Sequence, residues 1–202
     1  MLEEAGAIPV VIDVFDAPSL TSRMLAIRPA SVIHQLTDLP PALDPSRMAE
    51  AIAGNARIRR EGTRNLVAAA VAAGATRIIA QSIAWAYAPG PQPHTEESVL
   101  DTMAEGARAI TVGGVIALEM QVMGSSLEGI VLRYGRFYGL GTGVDSPPEP
   151  PAVHVDAAAH AALLAIERTH SGIFNIADDN DVVCTKKARR ELGWNPAYRF
   201  SH

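Results

Sequence analysis

The chain has 202 residues, 48 % of them hydrophobic, and a formal net charge of −5. That supplies a proper core for one domain, and an acidic balance without a basic block excludes a nucleic-acid partner, which needs a cationic surface. A lone cysteine, Cys184, excludes an internal disulfide framework, and no stretch reaches the ~18 to 20 apolar residues of a membrane span, so a cytoplasmic protein without a membrane partner is expected.

The opening residues, MLEEAGAIPVV, carry two acids and no base, unlike a signal peptide. LEEAG reads as the last turn of a helix stopped at Gly6. Ile8 to Val14 then reads as a strand, Ser19 to Ile27 as a short helix and Ser31 to Leu36 as a second strand. A Pro-rich loop leads to a long helical pattern from Arg47 to Ala73, stopped by Gly74. Thr76 to Ser82 is a third strand, followed by a loop rich in Pro and Gly and a helical segment over about Val99 to Met123. Gly129 to Tyr134 is a fourth strand, GLGTGVDSPPEPP a loop, and Val155 to Arg168 a helix. Gly172 to Ala177 is a fifth strand, and Lys186 to Gly193 a last short helix.

The strands are continuous apolar runs, as expected for a parallel sheet buried on both faces, and the alternation of strands with helices points to the same α/β class. In such folds ligands bind at the carboxyl ends of the strands. Residues after the strands, Asp13 to Asp16, His34 to Asp38, Gln81 to Tyr87 and Tyr134 to Tyr138, therefore outline a cleft. No glycine-rich phosphate loop joins a strand to a helix. The Gly-dense run YGRFYGLGTG leads into prolines and reads as a loop.

Seven pieces, VVIDVFD, SVIHQL, EGTRNLVAAAVAAGATRIIAQSIAWAY, IVLRYGRFYGLGTG, VHVDAAAHAAL, GIFNIADDN and KARRELGW, appear in the order found in one family. The chain resembles the extended and atypical short-chain dehydrogenase/reductases, the NAD-dependent epimerase/dehydratase-like proteins. The resemblance implies an NAD(P)-binding, Rossmann-like parallel sheet flanked by helices, over residues 1–142. It implies a small C-terminal lobe over 143–202, whose strand and helix return to the core. It also implies a start at the family's third strand, without the glycine loop, so NAD or NADP binding is expected to be weak or absent. The small-molecule substrate it implies is a sugar nucleotide or a related carbonyl compound. A non-catalytic binding or regulatory module and an inactive shortened chain are the alternatives.

By position in the family pattern, Asp13 and Val14 match the pair at the adenine ring, and His34, Gln35 and Leu36 the strand end along the cofactor. Gln81, Arg133 and Tyr134 fall at the strand ends beside the nicotinamide and substrate. Ser82 matches the catalytic hydroxyl position, with Ile83 one residue away as the alternative register. Registering on Glu119 puts Thr111 and Val115 where the family carries its catalytic Tyr and Lys. A threonine hydroxyl has too high a pKa to act as the tyrosine does, and valine offers no charge. Tyr87 and Tyr138 are the candidate replacements, against a packing role. Gly113 and Gly114 in that helix read as positions of close approach to a ligand or a neighbouring helix.

Other candidates come from the residues alone. Asp156 and His160, four apart, share a helix face and could hold a metal, but helix capping by Asp156 is the expectation and no metal is assigned. The PHTEES loop and the basic RIRREGTR cluster are expected to be solvated. Trp85 divides evenly between pocket and core, and Trp194 is expected to anchor the C-terminal tail by burial. If the strand at Ile8 to Val14 finds no neighbour in its own chain, a homodimer or a rearranged sheet edge is expected.

Overall fold

The computed structural model describes residues 3–40, 45–168 and 170–200. In chain order the principal elements are helix α1 (Ala17–Ile27), strand β1 (Ser31–His34), helices α2 (Met48–Arg57) and α3 (Thr63–Ala72), strand β2 (Arg77–Ile83), helix α4 (Gly106–Met123), strands β3 (Glu128–Tyr134), β4 (Arg136–Tyr138) and β5 (Ala152–His154), helix α5 (Val155–Arg168) and strand β6 (Gly172–Ile176). A π-helical turn, Ile58–Gly62, joins α2 to α3, and another, Ala188–Leu192, follows β6.

The main sheet is parallel, in the order β1-β2-β3-β6; β4 and β5 form a separate parallel pair. Side chains alternate across each strand, and both faces are covered. Ile78, Ala80 and Val131 point to one face, where they meet Leu20 of α1, Leu66 of α3, and Leu118 and Val122 of α4. Ile79, Ile130 and Leu132 point to the other, against the alanines of α5 and against Leu192 and Trp194. The continuous apolar runs thus have the cause expected of them. The fold is a Rossmann-like parallel sheet flanked by helices.

Local chemistry sets the ends of the elements. Asp16 caps α1, accepting from the Ser19 amide at 3.1 Å, and Pro18 sits in the first turn where it breaks no bond. β1 stops at His34, two residues short of the expected end, because the Leu36 amide turns back onto His34 Nδ1 at 3.3 Å. α4 begins at Gly106 rather than near Val99. The stretch ahead of it is drawn away from helix by backbone bonds to residues 86–88, from the Ala88 amide to Val99 O and from the Asp101 amide to Ala86 O.

The expected strand at Ile8 to Val14 is not one. Among the described residues no strand pairs with this segment, and a strand exists only through pairing. Ile12 and Val14 pack on the helical side of the core, while Ile8 and Val11 are 90 % and 100 % exposed. Val14 is held by its carbonyl, which accepts from Asn65 Nδ2 of α3 at 3.0 Å.

Gly113 and Gly114 serve helix packing. A Cβ on Gly114 would stand 3.1 Å from Ala56 Cα and 3.4 Å from Ala56 Cβ, so α4 and α2 meet nearly backbone to backbone. A Cβ on Gly113 would meet only the tip of the flexible Arg60 side chain, at 2.9 Å. The two glycines are therefore expected to respond oppositely. Gly113→Ala gains helix propensity and stabilises by about 0.5–1 kcal/mol, whereas Gly114→Leu forces the helices apart and costs about 2–3 kcal/mol. Urea unfolding of the two variants checks the sign of each; a stabilised Gly114→Leu would contradict the packing account.

Candidate functional site

The carboxyl ends of β2 and β3 stand on a buried polar network. Arg133 on β3 and Glu119 on α4 are 3 % and 5 % exposed. They pair in fork geometry, Nε to Oε1 at 2.9 Å and Nη2 to Oε2 at 2.7 Å. Ser82 Oγ donates to Glu119 Oε1 at 2.7 Å. On the other side, Arg133 Nη1 donates to Tyr87 Oη at 2.8 Å, and Tyr87 Oη donates to Asn175 Oδ1 of β6 at 2.6 Å. Asn175 Nδ2 donates to the carbonyls of His94 and Cys184, and the Asn175 amide donates to Glu96 Oε1. One network thus links β2, β3, β6, α4 and the PHTEES loop. Burial opposes the charge on Arg133, but the bonds and charge of Glu119 and the contact with Tyr87 more than offset it, so the pKa of the guanidinium is raised. Burial likewise pushes the Tyr87 phenol up.

The structure places several of the expected site residues in or beside this network. Ser82 is fully buried, and its hydroxyl donates to Glu119. The hydroxyl of Tyr87 is engaged on both sides. The Arg133 side chain points inward, and so does that of Tyr134, whose Oη donates to Ala158 O at 3.1 Å and whose pKa burial raises. Tyr138 is also buried, its hydroxyl donating to Asp178 Oδ2 at 2.8 Å and its ring edge-on to His154. The PHTEES loop is anchored at one point, where His94 is buried and stacked on Tyr87 at 4.9 Å, while Pro93, Thr95 and Glu97 stay exposed as expected. In the basic cluster, Arg57 lies over the Phe15 ring and pairs with Glu61 at the surface, while burial depresses the pKa of Arg59.

Above the network lies a cleft of about 220 Å³ whose lining includes Trp85, Tyr87, Gln92, His94, Arg136 and Pro150. Arg136 sits 5.1 Å over the Trp85 ring, and its Nη1 donates to Glu149 O at 3.1 Å and Pro150 O at 3.2 Å. Trp85 therefore serves both: it lines the cleft and packs against the cluster of Ile83, Ala86, Val112 and Val115. Trp194 is buried, and its indole N–H donates to Ala157 O, as its anchoring role requires. Asp156 lies in the first turn of α5, where its carboxylate accepts from the Phe200 amide, and His160 stacks on Tyr198 at 3.7 Å. Among the described residues no group of three or more His, Cys, Asp or Glu is placed to hold a metal, and no helix is long and apolar enough to cross a membrane.

The start of α3 brings two further groups together. Asn65 holds Val14, as above, and Thr63 Oγ1 lies 2.8 Å from His34 Nε2. Because the Leu36 amide donates to Nδ1, the His34 proton sits on Nε2 and is donated to Thr63. Desolvation, aided by the charge of Arg59, lowers the pKa of this buried imidazole to about 4. Asp13 and Gln35 are exposed. Gln81 is half-buried within β2.

On α4, the two positions of the expected catalytic pair hold nothing that exchanges protons readily. Thr111 Oγ1 donates to Ala107 O at 3.1 Å, and Val115, fully buried, packs with Ile83, Ala86 and Val112. Glu119, Asn175 and Glu96 are the site residues that the sequence reading did not assign.

No family model matches the sequence. A 3-diazoavenalumate denitrifying reductase from a Streptomyces species is 42 % identical over 191 residues, covering 84 % of this chain and 62 % of that protein. The chain thus spans less than two thirds of the length of this curated relative. Among solved structures, a dTDP-glucose 4,6-dehydratase from Streptomyces venezuelae with NAD bound superposes with a TM-score of 0.74 at 17 % identity, covering 98 % of this chain and 79 % of that one. The NADPH complex of RMD from Pseudomonas aeruginosa gives 0.73 at 14 % identity, covering 96 % and 84 %. A UDP-glucose 4-epimerase from Thermotoga maritima gives 0.72 at 19 % identity, covering 96 % and 81 %. The sheet order, its helical layers and these likenesses agree: the chain has the fold of the NAD-dependent epimerases and dehydratases of the short-chain dehydrogenase/reductase type.

Proposed function

We propose that this chain serves a nicotinamide-dependent reduction in which the substrate takes up a hydride without a proton from a tyrosine. What carries this reading is the state of the hydroxyls. Thr111 bonds its own helix, and Ser82 and Tyr87 are spent in the buried network. Reduction of a carbonyl places a proton on oxygen and calls for a general acid; none of these groups supplies one. A diazonium carbon needs no such acid. The hydride electron pair forms the new C–H bond, the C–N bond breaks, and dinitrogen leaves with that bond's electrons. The curated relative, a denitrifying reductase of a diazo compound, is named for chemistry of this kind.

When bound, a reduced nicotinamide supplies the hydride. Asp13, Val14, Gln35 and Leu36, gathered at the start of α3, would hold its adenosine end. Among the described residues no glycine-rich turn leads from a strand into a helix, so the fit does not extend to the pyrophosphate. The chain's own hold on the dinucleotide is weak: losing even three charge-assisted bonds costs on the order of three to six decades in affinity. Calorimetric titration with NAD⁺ and NADP⁺ to millimolar concentration is expected to show no binding tighter than about 100 μM, the level at which a missing cradle is already excluded. Thr111→Val is expected to leave the rate of hydride transfer to a diazonium probe unchanged; a large loss would return Thr111 to the chemistry and sink this reading. β1 ends the strand order of the main sheet among the described residues, and that edge is where a second copy would add a strand. Light scattering that returns a monomer removes that homodimer.

A further inference from the structure

We infer that Arg59, with Arg60 next to it on the π-helical turn between α2 and α3, forms an oxyanion site for a phosphate group at the carboxyl ends of β1 and β2. The inference stands apart from the reductase reading, and its deciding probe carries no nicotinamide.

Geometry puts the guanidinium there. The Arg59 side chain lies across α4 where Gly114 carries no side chain: a Cβ at that position would stand 3.4 Å from Arg59 Cδ. Beyond Cδ, its charge reaches the carboxylate of Glu119 and the imidazole of His34. His34 is the last residue of β1, and Glu119 bonds Ser82 of β2 and Arg133 of β3. Arg59 therefore sits at the end of the sheet where open α/β folds bind their ligands. The π-helical turn that carries it is a departure from α geometry of a kind that recurs at functional sites.

This guanidinium has no bond of its own. Arg59 is partly buried, and among the described residues no hydrogen bond or ion pair engages its side-chain nitrogens. The acid within range, Glu119, has both oxygens taken by Arg133 and Ser82. Arg133 and Glu119 cancel each other, so Arg59 leaves an uncompensated positive charge beside them. Removing such a charge from water without a bond is costly, and a bound anion supplies what offsets that cost.

Charge count selects phosphate over a single carboxylate. Arg60 Nη2 lies against Gly113, the neighbouring position of α4, 2.9 Å from where a Cβ would stand. Two guanidiniums reaching the same helix match the multiple charges and oxygens of a phosphate or diphosphate, whereas one carboxylate would leave a cation unmet.

The test titrates the full chain with sodium pyrophosphate by calorimetry, against chloride at matched ionic strength. The parent is expected to bind pyrophosphate, and Arg59→Met to bind it about tenfold or more weakly, the effect of one charge-assisted pair. Methionine keeps a stem to lie on Gly114, so the variant is expected to fold, with a urea midpoint equal to or above that of the parent once the desolvated charge is gone. The His34 imidazole, followed by NMR, locates the site. Bound pyrophosphate offsets the charge of Arg59, so His34 is expected to take up its proton at higher pH in the parent and to be unresponsive in Arg59→Met. Competition with NAD⁺ separates the sources: displacement assigns the phosphate to the dinucleotide, and its absence assigns a free phosphate or diphosphate. No binding of pyrophosphate at millimolar concentration, equal binding by the parent and Arg59→Met, an unresponsive His34 in the parent, or a lower urea midpoint in Arg59→Met overturns the inference and leaves Arg59 a solvated or structural side chain. The reductase reading is judged by hydride transfer, which none of these outcomes measures.

Discussion

Arg133→Ala is expected to lower the unfolding free energy by about 3–5 kcal/mol, a large share of what a domain of this size possesses. The reason is the partner left behind. Glu119 is 5 % exposed and receives two bonds from the guanidinium; without it, a carboxylate stays buried with only the Ser82 hydroxyl as donor. Tyr87 loses the donor at its oxygen, and the PHTEES loop loses the bond from Arg133 to Glu96 O. Glu119→Gln is expected to cost less, because the amide keeps an acceptor for Arg133. A double variant, Arg133→Met with Glu119→Leu, removes both charges and is expected to recover much of the stability. Urea unfolding of the three variants decides the matter. A mild Arg133→Ala, within about 1 kcal/mol of the parent as for surface pairs, would mean that the pair is not the strut described.

The second large effect is on pH. The folded-state pKa of His34, about 4, lies below its ordinary value of 6.5. Between these values the unfolded chain binds a proton that the folded chain excludes, so stability rises with pH across the window. The contribution is fully present above about pH 6.5 and is lost as pH falls toward 4, on the order of 3 kcal/mol in all. Desolvation is the main cause and Arg59 the secondary one; neither is available to an exposed imidazole. Guanidinium titrations from pH 7 to pH 4 are expected to show this loss in the parent and a much flatter profile in His34→Gln, which carries no proton to exclude. Parallel profiles for the two would assign the acid sensitivity to other groups.

Much of the scaffold was legible because burial leaves a direct trace in sequence. The runs TRIIAQS and GIVLRY fall on β2 and β3 within a residue at each end, since a strand covered on both faces must be apolar throughout. Ile8 to Val14 carries the same trace and is not a strand, because apolarity does not by itself supply a neighbour. β4 and β5 escaped notice for the opposite reason: three residues each, inside segments rich in Gly and Pro, give no period to read.

The site was half legible. A lone Arg in a buried strand and a lone Glu in an apolar helix each signal a buried partner, and Arg133 and Glu119 proved to be each other's. The fate of Tyr87 could not be read, because its acceptor, Asn175, lies 88 residues away. The double glycine of α4 was legible as a close approach, and the choice between ligand and helix was made by Ala56.

The most direct measurement of the central claim follows the hydride itself. The chain is incubated with NADPH carrying deuterium at the transferring carbon and with para-carboxybenzenediazonium, and the benzoate formed is examined by mass spectrometry. The account predicts benzoate deuterated at the ring carbon that lost dinitrogen, formed in proportion to protein and at the same rate in Thr111→Val. No protein-dependent benzoate, or deuterium delivered instead to a ketone probe, would contradict it.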